Sequence, residues 1–128
     1  MPLLAELNRQ LIEDERAANP MSLVELEARM RGWLASGHKA VLFEISEQPV
    51  AYAVYRLSDA GVYLRQFFVV RQHRRAGVGR RAIELFRDQC VPKDLILSLE
   101  VLIHNTAGQA FWRALGFREH ALSFVWSQ

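Results

Sequence analysis

Arg74, Arg75, Arg80 and Arg81 surround Gly77 and Gly79 in the stretch RRAGVGRRA, which follows the apolar run YLRQFFVV. Glycines let a backbone turn sharply and let a ligand come close to the main chain. Where a helix starts at such a turn, its first N–H groups lack internal partners and its dipole presents a positive end. Guanidinium groups add charge suited to phosphate oxygens, each charge-assisted hydrogen bond contributing ~1.5 to 3 kcal/mol. A diphosphate is the natural guest. Taken alone, a basic turn with glycines is as readily a solvated loop, so the flanking elements must decide. The stretch matches neither G-x-x-x-x-G-K-[ST] nor the full G-x-G-x-x-G pattern, which argues against nucleotide hydrolysis and hydride transfer.

Those elements can be read from periodicity. Leu4, Leu7 and Leu11 recur at helical spacing in LLAELNRQLIEDE, and the asparagine-proline pair that follows ends that helix. Ser22 and Glu25 form a capping box for a second helix, whose stripe of Leu23, Leu26, Met30, Trp33 and Leu34 stops at Gly37. AVLFEI and VAYAVYRL read as strands joined at SEQP, and SDAG turns the chain into the strand VYLRQFFVV. After the glycines, Ala82, Ile83, Leu85, Phe86 and Cys90 line a helix that VPKD terminates. LILSLEVLI then reads as a strand buried on both faces, parallel to the strand before the crossover helix. NTAGQAFWRALGF makes a short helix closed by Gly116, and FREHALSFVWS a last strand. The expected class is α+β, a central mixed sheet flanked by helices in the order ααβββαβαβ, in one domain over residues 1–128.

Composition bounds the possibilities. A chain of 128 residues with 51% hydrophobic and 23% charged residues suits one globular domain, and no apolar stretch reaches the ~20 residues of a membrane span. MPLLAELNRQLIEDE lacks a basic segment followed by a continuous apolar one, so the expectation is a cytoplasmic protein without a secretory signal. Residues 1–50 hold five Lys/Arg against eight Asp/Glu, whereas residues 51–128 hold eleven against six. The cations gather in one loop rather than along a face with interleaved aromatic groups, so no nucleic-acid partner is expected. The single cysteine, Cys90, reads as a buried structural thiol. His38, His73, His104 and His120 share no metal-ligand spacing and read as surface or loop residues, so no metal is expected.

The element order joined to VVRQHRRAGVGRRAIELF resembles motif A of the GCN5-related N-acetyltransferases, with Arg74-x-x-Gly77-x-Gly79 in place of R/Q-x-x-G-x-G/A. LSLEVLIHNTAGQAFWRALGF is similar to a second signature of that family, with Leu99, Glu100, Val101, Asn105, Leu115, Gly116 and Phe117 in register. The two motifs span residues 62–118. The resemblance implies a sheet splayed between its fourth and fifth strands, with acetyl-CoA as co-substrate entering the gap. It also implies an acetyl-CoA-dependent N-acetyltransferase, an acyltransferase that moves the acetyl group to a primary amine by direct attack in a ternary complex.

The resemblance further suggests roles residue by residue. Main-chain groups of Phe68 and Val70 would pair with the pantetheine arm, and N–H groups from Arg75 through Ala76, Gly77, Val78 and Gly79 to Arg80 would hold the diphosphate beside Arg74. An N–H near Val69 or Val70 would polarise the thioester carbonyl. Glu100 is the candidate base, with Gln66, Glu44 and Tyr52 behind it; its other reading is to orient a water or pair with an arginine. Trp112 stands where the family often has a tyrosine that reprotonates the thiolate, and an indole N–H cannot transfer a proton in that way. Tyr63 or His104 could substitute. Asn105 reads equally as a pantetheine contact and as a helix N-cap. Glu13, Asp14 and Glu15 could draw a cationic acceptor or form a solvated helix end. Small-molecule and protein amines remain open as acceptors, as does a homodimer using the apolar ALSFVWS. A non-catalytic acyl-CoA sensor and a nucleic-acid binder using the arginine cluster are the competing classes.

Overall fold

The computed structural model describes residues 23–70, 73–74 and 77–128, so the helix expected over LLAELNRQLIEDE lies outside the described residues. The elements are α1 (Leu23–Ala35), β1 (His38–Ile45), β2 (Gln48–Ser58), β3 (Gly61–Val69), α2 (Val78–Cys90), β4 (Leu97–Leu99) and α3 (Thr106–Ala114). They form a four-stranded mixed sheet in the order β1-β2-β3-β4 with three helices. β1, β2 and β3 form an antiparallel meander, and β4 lies parallel to β3. That parallel pairing requires the α2 crossover.

The β1–β2 hairpin closes on Ile45↔Gln48, leaving Ser46 and Glu47 as its two-residue loop. Both have positive φ, 49° and 67°, as a turn matched to the right-handed strand twist requires. β2 is central, and Val50, Ala51, Tyr52, Ala53 and Val54 are all buried. A strand covered on both faces reads as a continuous apolar run, which VAYAV is. One face packs Tyr52, Val54, Phe68 and Val70 under Met30 of α1. The other packs Ala53, Val62 and Leu64 under Ile83 and Phe86 of α2, with Leu115 beyond α3.

Three expectations are corrected. LILSLEVLI forms a strand only at Leu97–Leu99, half-buried, and Leu102 and Ile103 are exposed. Among the described residues it has one neighbour, β3, and it stops where that pairing stops. FREHALSFVWS forms no strand, and residues 118–128 are exposed along their length. A strand-like pattern needs a partner ladder, and none is present for it among the described residues. His38 is buried at the start of β1, and its Nε2 atom has no hydrogen-bond partner among the described residues. Burial first, then the neighbouring Arg65 charge, holds its pKa below the ordinary histidine value. Cys90 is half-buried, against the α2-side core. No helix among the described residues is long and apolar enough to cross a membrane.

Candidate functional site

β3 pairs with β4 at Val62↔Leu97, Tyr63↔Ser98 and Leu64↔Leu99 only, although β3 itself continues to Val69. Among the described residues, its second half therefore has β2 on one side and no strand on the other. The parting falls between the third and fourth strands of the described sheet, one strand earlier than expected. Which main-chain groups face the opening depends on a bulge opposite Val54/Tyr55, where Arg65 is the extra residue of β3. Before it, the Val62 N–H points to β4 and donates to the Ile96 carbonyl at 2.8 Å. After it, the Val70 N–H points the other way, to the Val50 carbonyl at 2.8 Å. Alternation puts Phe68 on the same side as Val70 and turns the main chain of Phe67 and Val69 toward the opening. The main-chain groups of Phe68 and Val70, the ones expected to meet a pantetheine arm, thus face β2, and those of Phe67 and Val69 face the opening. Uninterrupted alternation from Val62 leads to the even-numbered residues, and the bulge shifts the set by one.

The end of this edge meets the start of α2. Gly77 caps that helix at φ 78°, ψ 2° with no side-chain hydrogen bond, and no acidic residue stands in the first turn. The first intrahelical bond to Gly77 comes from Arg81 at 3.0 Å, so the N–H groups of Val78, Gly79 and Arg80 precede the ladder. Arg74 reaches back and donates from Nε to the Val69 carbonyl at 2.9 Å, its guanidinium 5.0 Å from the Phe68 ring centre. Arg80 and Arg81 are exposed, while Arg75 and Ala76 lie outside the described residues. The two glycines differ in kind. A Cβ on Gly77 would meet nothing within 4 Å, so its constraint is the positive φ alone. Gly79 has no such φ; a Cβ there would lie 3.1 Å from Phe111 Cε1 and 3.5 Å from Val69 Cγ2. A left-handed φ therefore limits Gly77, and contact with Phe111 limits Gly79.

On the α1 face, the Tyr63 hydroxyl donates to Glu100 Oε1 at 3.1 Å. Glu100 is exposed and follows β4 by one residue, where the two strands begin to part. Burial first, then the Glu100 charge and hydrogen bond, raises the Tyr63 pKa and keeps the phenol protonated. Nearby on β3, Gln66 Oε1 accepts from the Tyr52 hydroxyl at 3.0 Å. Glu44 is not brought to this group: β1 is the opposite edge of the sheet, where Glu44 lines a cleft with Gln89 and Cys90. Trp112 packs edge-on against Phe67, Phe111 and Phe117 in the α2-side core, with ring centres 4.9 to 5.8 Å apart. Asn105 caps α3, its Oδ1 accepting from the Gly108 N–H at 3.0 Å. His104 is exposed in the preceding turn, and Glu13, Asp14 and Glu15 lie outside the described residues. No group of three His, Cys, Asp or Glu that could hold a metal occurs among the described residues.

Sequence reasoning missed a cation–aromatic stack on the same face. Arg29 lies 4.7 Å from the Trp33 ring centre, and Arg65 lies 5.8 Å from it and 5.3 Å from that of Tyr63. The four-residue spacing of Arg29 and Trp33 on one helix was the available signal. Burial lowers the Arg29 pKa from its ordinary value.

The domain is thus α+β, with a mixed sheet that parts beside the uncapped start of α2. The model of the acetyltransferase (GNAT) family matches residues 4–117, and the chain belongs to that family. Among solved structures, an acetyltransferase from Thermus thermophilus is 22% identical, with TM-score 0.74 over 92% of this chain and 82% of its own. The aminoglycoside N-acetyltransferase AAC(6')-Iy in complex with CoA is 18% identical, with TM-score 0.72 over 98% of this chain and 86% of its own. The ribosomal-protein-S18-alanine N-acetyltransferase from Escherichia coli is 22% identical, with TM-score 0.69 over 93% and 73%. At these identities the likeness establishes the fold. No curated protein sequence matches significantly.

Proposed function

We propose that this chain transfers the acetyl group of acetyl-CoA to a primary amine by direct attack in a ternary complex. The observation that carries the reading is the open edge of β3 running into the uncapped start of α2. The Phe67 and Val69 main chain extends that edge for the pantetheine arm, and the Val69 N–H polarises the thioester carbonyl. The N–H groups of Val78, Gly79 and Arg80, with Arg74, Arg75, Ala76 and Gly77, hold the diphosphate. The acidic run Glu13, Asp14 and Glu15 draws the protonated form of the amine toward the acceptor side.

Glu100 takes a proton from the attacking amine as the C–N bond forms and the C–S bond breaks. The Tyr63 hydroxyl, hydrogen-bonded to Glu100, gives its proton to the departing thiolate and regains one from the Glu100 carboxyl. Charge balances at each end of this relay, because the phenolate would form only beside a neutralised carboxyl. Trp112 is then a packing residue. It also favours a second reading, a non-catalytic acyl-CoA sensor, since the half-buried indole packed against Phe67, Phe111 and Phe117 supplies no proton.

Calorimetric titration with acetyl-CoA, beside free CoA and a folded Gly77→Val variant, tests the cradle. Micromolar binding weakened in the variant supports it, and absence of binding at millimolar coenzyme overturns it. Thiol release across an amine library then separates the enzyme from the sensor, which binds without turnover.

A further inference from the structure

Arg65 is the extra residue of β3, and a bulge re-aims the side chain that it adds. Its guanidinium lies against two rings, 5.8 Å from the centre of Trp33 and 5.3 Å from that of Tyr63. A cation over a ring is held by the ring quadrupole and gives up no N–H donor to it, so the planar fork of five donors is still available. Arg65 is exposed, and among the described residues no carboxylate pairs with it.

Charge on this face of the sheet is lopsided. Residues directly opposite one another in a ladder share a face, so Arg56, opposite Tyr63 of β3 and opposite His38 of β1, lies with them. Arg29 reaches the same Trp33 ring at 4.7 Å. Arg29, Arg56 and Arg65 thus share the face on which Glu100 accepts from the Tyr63 hydroxyl. A polycation brought to Glu100 is opposed by these guanidiniums, whereas an amine whose own molecule carries an anion is matched at both ends. A carboxylate fits the fork in bidentate geometry, and a guanidinium already steadied by two rings loses little freedom in the pairing.

We propose, resting on the acetyl-transfer reading, that Arg65 determines acceptor specificity by holding the carboxylate of a small amino acid whose amine is directed at Glu100. One tyrosine separates the two ends, since Arg65 lies against the Tyr63 ring and Glu100 takes the hydrogen bond of its hydroxyl. That spacing suits a single small molecule bearing both groups.

The test sets each amino acid beside its amide. Glycine, β-alanine and 4-aminobutyrate are compared with glycinamide, β-alaninamide and 4-aminobutanamide, first by thiol release from acetyl-CoA. The wild type should favour the acids in kcat/KM by about 10- to 100-fold. Arg65→Gln should collapse that ratio, chiefly by raising KM for the amino acids, and Arg65→Lys, which keeps the charge and loses the fork, should restore only part of it. Calorimetric acetyl-CoA affinity should match the wild type in both variants as proof of folding. A second readout needs no turnover: in the presence of free CoA, the Arg65 Nε–Hε NMR signal, assigned by its loss in Arg65→Gln, should shift saturably with the amino acids and stay still with the amides. Such shifts in a chain that acetylates no amine would overturn the acetyl-transfer reading and support the carboxylate site. A signal unmoved by the amino acids would overturn the proposal whatever the turnover. So would equal kcat/KM for acids and amides, or a preference for putrescine or ethanolamine phosphate over every amino acid.

Discussion

Alanine placed at Gly77 and at Gly79 should separate the two kinds of constraint at the start of α2. At Gly77 the φ of 78° is left-handed and the space around a new Cβ is empty. Alanine there costs the left-handed penalty, ~1 to 2 kcal/mol, with no relief available from repacking. At Gly79 alanine gains ~0.8 to 1.0 kcal/mol of helix propensity. Against this, its Cβ meets the Phe111 ring at 3.1 and 3.2 Å, an overpacking that costs about 1 kcal/mol or more unless the ring yields. Gly77→Ala should therefore lower the urea midpoint and reduce Tm by about 3 to 8 °C, whereas Gly79→Ala should lie within about 1 kcal/mol of wild type. Coenzyme titration adds the functional half: Gly77→Ala disturbs the turn that aims the helix N–H groups, so its acetyl-CoA affinity falls with its stability. Equal losses at the two positions, or a stable Gly77→Ala, would refute the assignment of φ to one and contact to the other.

Other expectations follow from named contacts. Glu100→Gln should reduce kcat by about 10² to 10⁴ with little change in acetyl-CoA KM, and Tyr63→Phe should reduce it in the same manner. The double variant should be no worse than the weaker single one, as for two groups in one relay, and steady-state kinetics will read this. His38 has a lowered pKa through burial, so its contribution is intact above the ordinary value near 6.5 and is lost as pH falls through the folded value. Thermal melts from about pH 7.5 to 5.5 should show falling stability, and His38→Leu should flatten that slope. Asn105→Ala removes the α3 cap seen at Gly108 and should cost ~0.5 to 2 kcal/mol in denaturant titration. Coenzyme affinity should be unchanged if the cap is its whole role.

The meander, the crossover helix and α3 were legible because their signals are local. The stripe through Ala82, Ile83 and Phe86 is the buried face of α2, and SEQP does form the β1–β2 hairpin. The glycine turn was legible as a helix start for the same reason. What escaped depended on partners. Strand length is set by the neighbouring strand, so LILSLEVLI shortened to three residues and FREHALSFVWS found no ladder. Arg65 looks like any strand residue until the β2 register shows that it is an extra one. Tyr63 and Glu100 are 37 positions apart in the chain, and only the parallel register of β3 and β4 brings them together. His38 carried no sign of burial, because a lone histidine near a strand start is compatible with either environment.

The extra residue in β3 also makes that strand unequal in what it can lose. Removing Tyr63 or Phe67 would turn every later side chain to the opposite face, exchanging the contents of the two cores. Removing Arg65 would restore an unbroken alternation, with Phe67 and Val69 still toward the opening and Phe68 and Val70 still toward β2. One position in the middle of the strand is thus dispensable for its facing, while its neighbours are not. Natural or engineered shortening of this strand should be survivable there, at the cost of the arginine stacked against Trp33 and Tyr63.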